Sequence, residues 1–192
     1  MGPIVGLLLA AGQGRRFGSD KLLHPLEDGT PLAVVAARRL KAVCPICIAV
    51  LRPEQTVLAG LLAAEGLRTV PCAEARDGMG HSLAAGVAAS PDAGGWLVAL
   101  GDMPFIQPQT LRQVADALSA GASLAAPWLN GQRGHPVGFA AGWREGLLAL
   151  AGDAGARDIL GRHREAMLRI DTTDPGVLRD VDTPQDLVRP RP

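Results

Sequence analysis

Pro3-Ile4-Val5-Gly6-Leu7-Leu8-Leu9-Ala10-Ala11-Gly12-Gln13-Gly14-Arg15-Arg16-Phe17-Gly18-Ser19-Asp20-Lys21 joins an apolar run of strand length to a glycine-rich, basic loop. A short run that is apolar throughout suits a strand covered on both faces, as in a parallel sheet between helices. Glycines at 12, 14 and 18 let the backbone approach a polyphosphate and turn its N–H groups inward, while Arg15, Arg16 and Lys21 offset the charge. That combination points to a nucleotide. A solvated basic turn between a strand and a helix has a similar composition.

Two common phosphate loops fit this spacing poorly. A dinucleotide fingerprint needs a third glycine, where Phe17 stands, and an acid for the ribose about twenty positions on. The next apolar segment instead closes on Val50-Leu51-Arg52. A Walker loop needs Gly-Lys-Ser or Gly-Lys-Thr, whereas Gly18 is followed by Ser19-Asp20-Lys21.

Downstream, apolar runs alternate with amphipathic stretches, the pattern of an α/β protein with a mostly parallel sheet. Strands are predicted at 4–9, 46–51, 67–70, 96–100, 123–127, 137–139 and 167–170. Helices are predicted over 32–43, with Thr30 as cap and Pro31 in the first turn, after Pro53 and Pro108, over 78–89, and from the 152–155 turn through Leu160. No repeat or low-complexity linker divides the 192 residues. Residues 1–188 therefore read as one domain, with a disordered tail expected at 189–192.

Nineteen basic and nineteen acidic residues leave no formal net charge, which speaks against a surface-wide grip on nucleic acid or an anionic membrane. Lys21 and Lys41 are the two lysines against seventeen arginines, so a lysine in the glycine loop is less easily dismissed as surface filler. No apolar run reaches membrane-helix length, and 4–11 is too short for a signal peptide, so a cytoplasmic location is expected. Three cysteines, an odd number, fit a reducing compartment. Cys44-Pro45-Ile46-Cys47 lies where a helix ends, opposite to the helix N-terminus that activates redox thiols, and reads as buried packing.

In open α/β sheets, ligands collect beyond the carboxyl ends of the strands, so residues that follow strands carry the chemistry. Leu100-Gly101-Asp102-Met103-Pro104 places one carboxylate there, suited to Mg²⁺ on a triphosphate or to capping the next turn. In Asp180-Val181-Asp182-Thr183-Pro184-Gln185-Asp186, an inward Val181 puts Asp180 and Asp182 on one face; Asp182 or Thr183 also makes a respectable helix cap. Asp186 is expected to anchor the last helix. The stretch Gly78-Met79-Gly80-His81-Ser82-Leu83 opens a helix whose free N–H groups and Ser82 hydroxyl suit a ribose or base, or simply close packing. His135, in Arg133-Gly134-His135-Pro136-Val137, can bond a phosphate whether charged or neutral, and Arg157 can grip one in a bidentate fork.

The pattern Leu9-Ala10-Ala11-Gly12-x-Gly14-x-Arg16-x-Gly18-x-x-Lys21 resembles the signature loop of the NTP transferase superfamily, and the later motifs resemble its molybdenum cofactor cytidylyltransferases, a molybdopterin nucleotidyltransferase-like group. The matching motifs run in order from Ile4 to Asp186. The resemblance implies a three-layer α/β/α, Rossmann-like nucleotide-diphospho-sugar transferase fold. It implies transfer of CMP from CTP to molybdopterin, with Mg²⁺ as cofactor and pyrophosphate as product. Leu9, Ala10, Ala11, Gly12, Gly14 and Arg15 would hold the nucleotide together with Gly78, Gly80 and Ser82. Arg16 and Lys21 would be catalytic, Asp102 and Asp182 metal ligands, and His135 and Arg157 would face the acceptor. A molybdoenzyme or its chaperone is the protein partner implied. Guanylyl transfer, a sugar or polyol phosphate as acceptor, and a nicotinamide-dependent oxidoreductase are the competing readings; Phe17 and the missing acid speak against the last.

Overall fold

The computed structural model describes residues 2–12, 20–153 and 155–188. The parts expected of Gly14, Arg15 and Arg16, and the tail expected at 189–192, lie outside these residues. Among the described residues, eight strands form one sheet: β1 (Ile4–Leu9), β2 (Cys47–Leu51), β3 (Arg68–Pro71), β4 (Gly95–Leu100), β5 (Leu124–Leu129), β6 (Gln132–Arg133), β7 (Val137–Ala140) and β8 (Met167–Asp171). Their order is β3-β2-β1-β4-β7-β5-β6, with β8 paired to β5. The helices are α1 (Leu32–Lys41), α2 (Thr56–Ala64), α3 (Met79–Ala88), α4 (Pro108–Ser119), α5 (Arg144–Leu148), α6 (Arg157–Arg162) and α7 (Gln185–Val188).

Alternation along β1 builds the two cores. Leu8 faces α1, α2 and α4 through Ala37, Leu58 and Val114, whereas Leu7 and Leu9 face the opposite layer with Leu83, Val87, Leu147 and Leu160 of α3, α5 and α6. The architecture is thus α/β/α, as expected. Small residues let the layers close: a Cβ at Gly86 of α3 would meet the Leu7 and Val50 side chains at 3.2–3.3 Å.

The sheet is parallel from β3 through β4, but β7 runs antiparallel to both β4 and β5. The connection from β5 to β7 is too short for the crossover that a parallel pair requires, so the chain returns as a hairpin through β6. Two helix starts also differ from expectation. Thr30 makes no cap; its N–H donates to Asp28 (2.9 Å), and Pro31 occupies the N-cap of α1. The helix after Pro53 begins only at Thr56, because the Gln55 side chain is drawn inward to backbone atoms of Ala10 and Arg52.

A buried carboxylate outside the expected set ties the later half together. Asp174 accepts from Gln107 N (2.8 Å), Thr110 Oγ1 (2.8 Å) and Gly176 N (2.9 Å), joining the start of α4 to the segment that leads to residues 180–186. Replacing Asp174 with alanine leaves three donors without acceptors and should cost about 3 kcal/mol of stability. Urea unfolding of the variant measures this, and a midpoint equal to wild type would remove Asp174 from the framework.

Candidate functional site

Parallel pairing of β1 with β4, Leu9 against Leu100, sets the loops after these strands side by side. The first loop returns at Lys21, in a single turn of 3₁₀ helix that Asp20 caps by accepting from Leu22 N (3.2 Å). Lys21 is only 7% exposed, and its ammonium reaches two carboxylates: Asp102 Oδ2 at 2.8 Å and Asp182 Oδ1 at 3.1 Å. Burial alone would lower the pKa of Lys21; the charges and hydrogen bonds of Asp102, then Asp182, outweigh it and hold the pKa above the ordinary lysine value. Lys21 is therefore a fixed cation at neutral pH.

Asp182 arrives there by backbone pairing. Val181 N donates to Asp102 O at 2.9 Å, and the Val181 side chain is fully buried against Leu32, which leaves Asp180 and Asp182 directed away from that small core. Asp186 secures the turn by accepting from Asp182 N, Thr183 N and Thr183 Oγ1 at 2.8–3.1 Å. The carboxylate of Asp186 thus holds Thr183 at the start of α7, and that of Asp182 reaches Lys21. No cluster of three or more metal-ligating side chains exists among the described residues. The Asp102 and Asp182 pair is the number of protein carboxylates that Mg²⁺ commonly takes when phosphate oxygens complete its shell.

Lys21 and Asp102, but not Asp182, line a cleft of about 360 Å³ together with Leu9, Ala11, Gly12, Gly78, Met79, Ser82 and Asp153, among others. Ala10 and Gly80 were also expected at the nucleotide, but they lie off this lining. The carbonyl of Ala10 accepts from Gln55 Nε2 (3.1 Å), and Gly80 N donates to Gly152 O (2.9 Å). The glycines of this wall serve close approach. Gly78 has φ +135°, and a Cβ there would strike the Gly152 backbone, so 151–153 can press against the start of α3 and carry Asp153 to the cleft.

His135 is not among the residues that line the cleft, though the charge of Asp102 acts on it. Burial first, and then the nearby Arg133, push its pKa down to about 4, against the pull of Asp102 and the Val98 backbone. The imidazole is neutral at physiological pH, and its Nδ1 is sealed from solvent with no hydrogen-bond partner among the described residues. Arg157, by contrast, is exposed on the first turn of α6.

Sequence reasoning missed Arg52. It occupies the end of the second strand, where a dinucleotide fold keeps its ribose-binding acid, and donates to Ala11 O (3.0 Å) and Gly12 O (2.8 Å), fastening the start of the glycine loop. Its position immediately after a strand was the available signal. The paired cysteines are structural: Cys47 Sγ donates to Cys44 O (3.1 Å), and burial pushes the two thiols up to about 12 at Cys44 and about 11 at Cys47. Among the described residues, no helix is long and apolar enough to cross a membrane.

A doubly layered α/β sheet, with a glycine loop, a lysine and two carboxylates at the carboxyl edge of its first and fourth strands, defines the class of nucleoside triphosphate-using transferases. Residues 6–167 match the MobA-like NTP transferase domain, and the chain belongs to that family, which makes it a nucleotidyltransferase. It is 32% identical to Nicotine blue oxidoreductase of Paenarthrobacter nicotinovorans, over 97% of this chain and 95% of that protein. It is 30% identical to Purine catabolism protein PucB of Bacillus subtilis strain 168, over 97% and 96% respectively. The crystal structure of Rv0371c from Mycobacterium tuberculosis H37Rv superposes with a TM-score of 0.83 at 29% identity, over 98% of this chain and 97% of that one. A second structure of that protein, at 28% identity and TM-score 0.77 over the same shares of the two chains, is a complex with manganese.

The buried neutral His135 has a measurable consequence. Between its ordinary value of 6.5 and about 4, the unfolded chain takes up a proton that the folded chain refuses, so stability is lost as pH falls through that interval. Melting temperatures of wild type and His135→Gln across this range should differ in slope, with the glutamine variant the flatter. Equal slopes would mean that the imidazole protonates freely in the folded protein.

Proposed function

We propose that the chain transfers CMP from CTP to the phosphate of molybdopterin, or of a closely related phosphomonoester, in a divalent-cation-dependent reaction. An oxygen of the acceptor phosphate attacks the α-phosphorus in line, the bond from that phosphorus to the β-phosphate bridging oxygen breaks, and pyrophosphate leaves. The observation that carries the reading is the convergence of Asp102 and Asp182 on the Lys21 ammonium at the mouth of the cleft. Two carboxylates that reach one cation-sized position fit Mg²⁺, and Asp102 and Asp182 would hold it. When bound, such an ion neutralises phosphate charge and orients the triphosphate. The manganese complex of Rv0371c supports a divalent ion in this role.

Lys21 supplies fixed positive charge where negative charge develops on the transferring phosphate, and the sequence motif assigns Arg16 the same task. Gly12, Gly14 and Arg15 cradle the phosphates, and Leu9, Ala11, Gly78 and Ser82 form the wall against which the nucleoside rests, with Ala10 and Gly80 holding that wall in place. A phosphomonoester acceptor is already a nucleophile near neutral pH, so positioning and charge neutralisation suffice without a dedicated base. His135 and Arg157 serve the acceptor, and a molybdoenzyme or its chaperone would receive the product.

The name of the Paenarthrobacter relative favours a second reading, an oxidoreductase. Against hydride transfer from a nicotinamide cofactor stand Phe17 at the third glycine position and Arg52, bonded to the glycine loop, where an acid would bind the ribose. Pyrophosphate release from each NTP with Mg²⁺ and molybdopterin tests the two together. CTP should lead GTP and ATP, and NADPH binding tighter than any NTP would move the chain to the second reading.

Lys21→Ala should lower kcat roughly a hundredfold while KM for the nucleotide changes little, because its charge matters most in the transition state. Steady-state kinetics decide this, and an unchanged kcat removes Lys21 from the chemistry. Asp102→Asn and Asp182→Asn should each weaken the metal-dependent rate, with a double variant little worse than either single one. Fully additive losses would show that the carboxylates do not share an ion.

A further inference from the structure

Most described arginines are occupied, by carboxylates or backbone carbonyls: Arg38 by Glu65, Arg39 by Ile106 O, Arg52 by Gly12 O, Arg76 by Glu54, Arg169 by Asp171 and Arg179 by Asp186 O. Arg133, Arg157, Arg162 and Arg164 have no acceptor among the described residues, and Arg157 and Arg164 are near enough to Arg133 for their charges to act on it. Arg133 stands directly across from Trp128 in the β5–β6 pair, and the Arg164 guanidinium lies over the Trp128 ring at 5.7 Å from its centroid. Burial, and then the charges of Arg157 and Arg164, hold the pKa of Arg133 below the ordinary arginine value. The Trp128 indole N–H is sealed from solvent and has no acceptor among the described residues. Arg133 stands two residues from His135, whose backbone N–H donates to Val177 O (2.9 Å) on the segment that leads to Asp182, and the charges of Arg133 and Asp102 both act on the imidazole.

Like charges packed this way are costly unless a polyanion completes them, and guanidinium forks match phosphate oxygens in geometry. We propose that Arg133, Arg157 and Arg164, with the Trp128 N–H, form a binding site for a dianionic phosphate, and that its occupant is the phosphomonoester of the acceptor. The inference rests on the acceptor assignment above and deepens it. It makes Arg133, Arg164 and Trp128 specificity-determining residues, and it restricts acceptors to those with a terminal phosphate rather than a hydroxyl alone. The same chemistry could instead hold the β- and γ-phosphates of the NTP, and the test separates these sources.

Calorimetric titration of the full chain with inorganic phosphate, without nucleotide, should show saturable binding. That binding should weaken roughly tenfold or more in Arg133→Gln and Arg164→Gln. It should weaken about threefold in Trp128→Phe, which keeps a ring but loses the donor. Arg164 is exposed, so its variant is expected to fold normally, and Arg133→Lys, which keeps the charge but loses the fork, guards against a folding defect at the half-buried position. CTP affinity should stay at the wild-type value in all of them. Phosphate binding unchanged in the glutamine variants overturns the site; parallel losses of CTP and phosphate assign the cluster to the nucleotide and overturn the acceptor as occupant. Absence of CTP turnover alongside phosphate binding lost in the variants refutes the proposed reaction but not the site. Turnover with an unchanged acceptor KM in Arg133→Gln refutes the site but not the reaction.

Discussion

A single ammonium group gathers carboxylates that stand 81 and 161 positions away along the chain. Burying a lysine as deeply as Lys21 is unfavourable unless opposite charges are held against it in good geometry, and breaking such an arrangement leaves an uncompensated buried charge. The fold meets that condition from both sides. Parallel pairing of β1 and β4 sets Asp102 beside the return of the glycine loop, and a backbone hydrogen bond from Val181 to Asp102 brings Asp182 over the same edge. The constraint explains why the last segment crosses the carboxyl end of the sheet instead of ending on its flank.

Most of what holds this arrangement is polar and lies away from the chemistry. Asp174 gathers the start of α4 and the crossing segment, Asp186 closes the turn after Asp182, and Arg52 with Gln55 clasps the carbonyls of Ala10, Ala11 and Gly12. Close backbone approaches do the rest. A side chain at Gly134 would meet Val177, and one at Gly176 would strike the backbone of Phe105, so both glycines let the crossing segment lie flat on the sheet edge. A loop held at several points by side chain to backbone bonds can present ligating groups with little reorganisation, which is what charge stabilisation in a transfer reaction requires.

Relatives of comparable identity bear names from different chemistries, which is expected when one fold carries many sites. The distinguishing features in this chain are local. Arg52 takes the place of a ribose-binding acid, and among the described residues the unpartnered arginines collect on the β5–β6–α6 side of His135. Electrostatic demand is therefore split between two regions, one at Lys21 and one at Arg133, which is the arrangement the proposed transfer between two phosphorylated molecules would use.

The amino-acid sequence by itself determined the layered α/β class, the strand at Ile4–Leu9 and the carboxylate of Asp102 directly after an apolar run, while Lys21 and Asp182 were singled out by resemblance of their motifs. Those properties are written in local periodicity and in residue types that have few other uses at such places. Asp186 as the anchor of the last helix was legible for the same reason. Strand direction at β7, the inward turn of Gln55, the clasp of Arg52 on the glycine loop and the polar hub at Asp174 were not, because each depends on a partner distant in sequence. The same is true of charge state. His135 has the same side chain in any context, but its neutrality comes from burial and from Arg133, and Lys21 keeps its proton because two remote carboxylates outweigh the cost of burying it. Desolvation and Coulomb interactions are properties of three-dimensional neighbourhood, so only the tertiary structure could decide them.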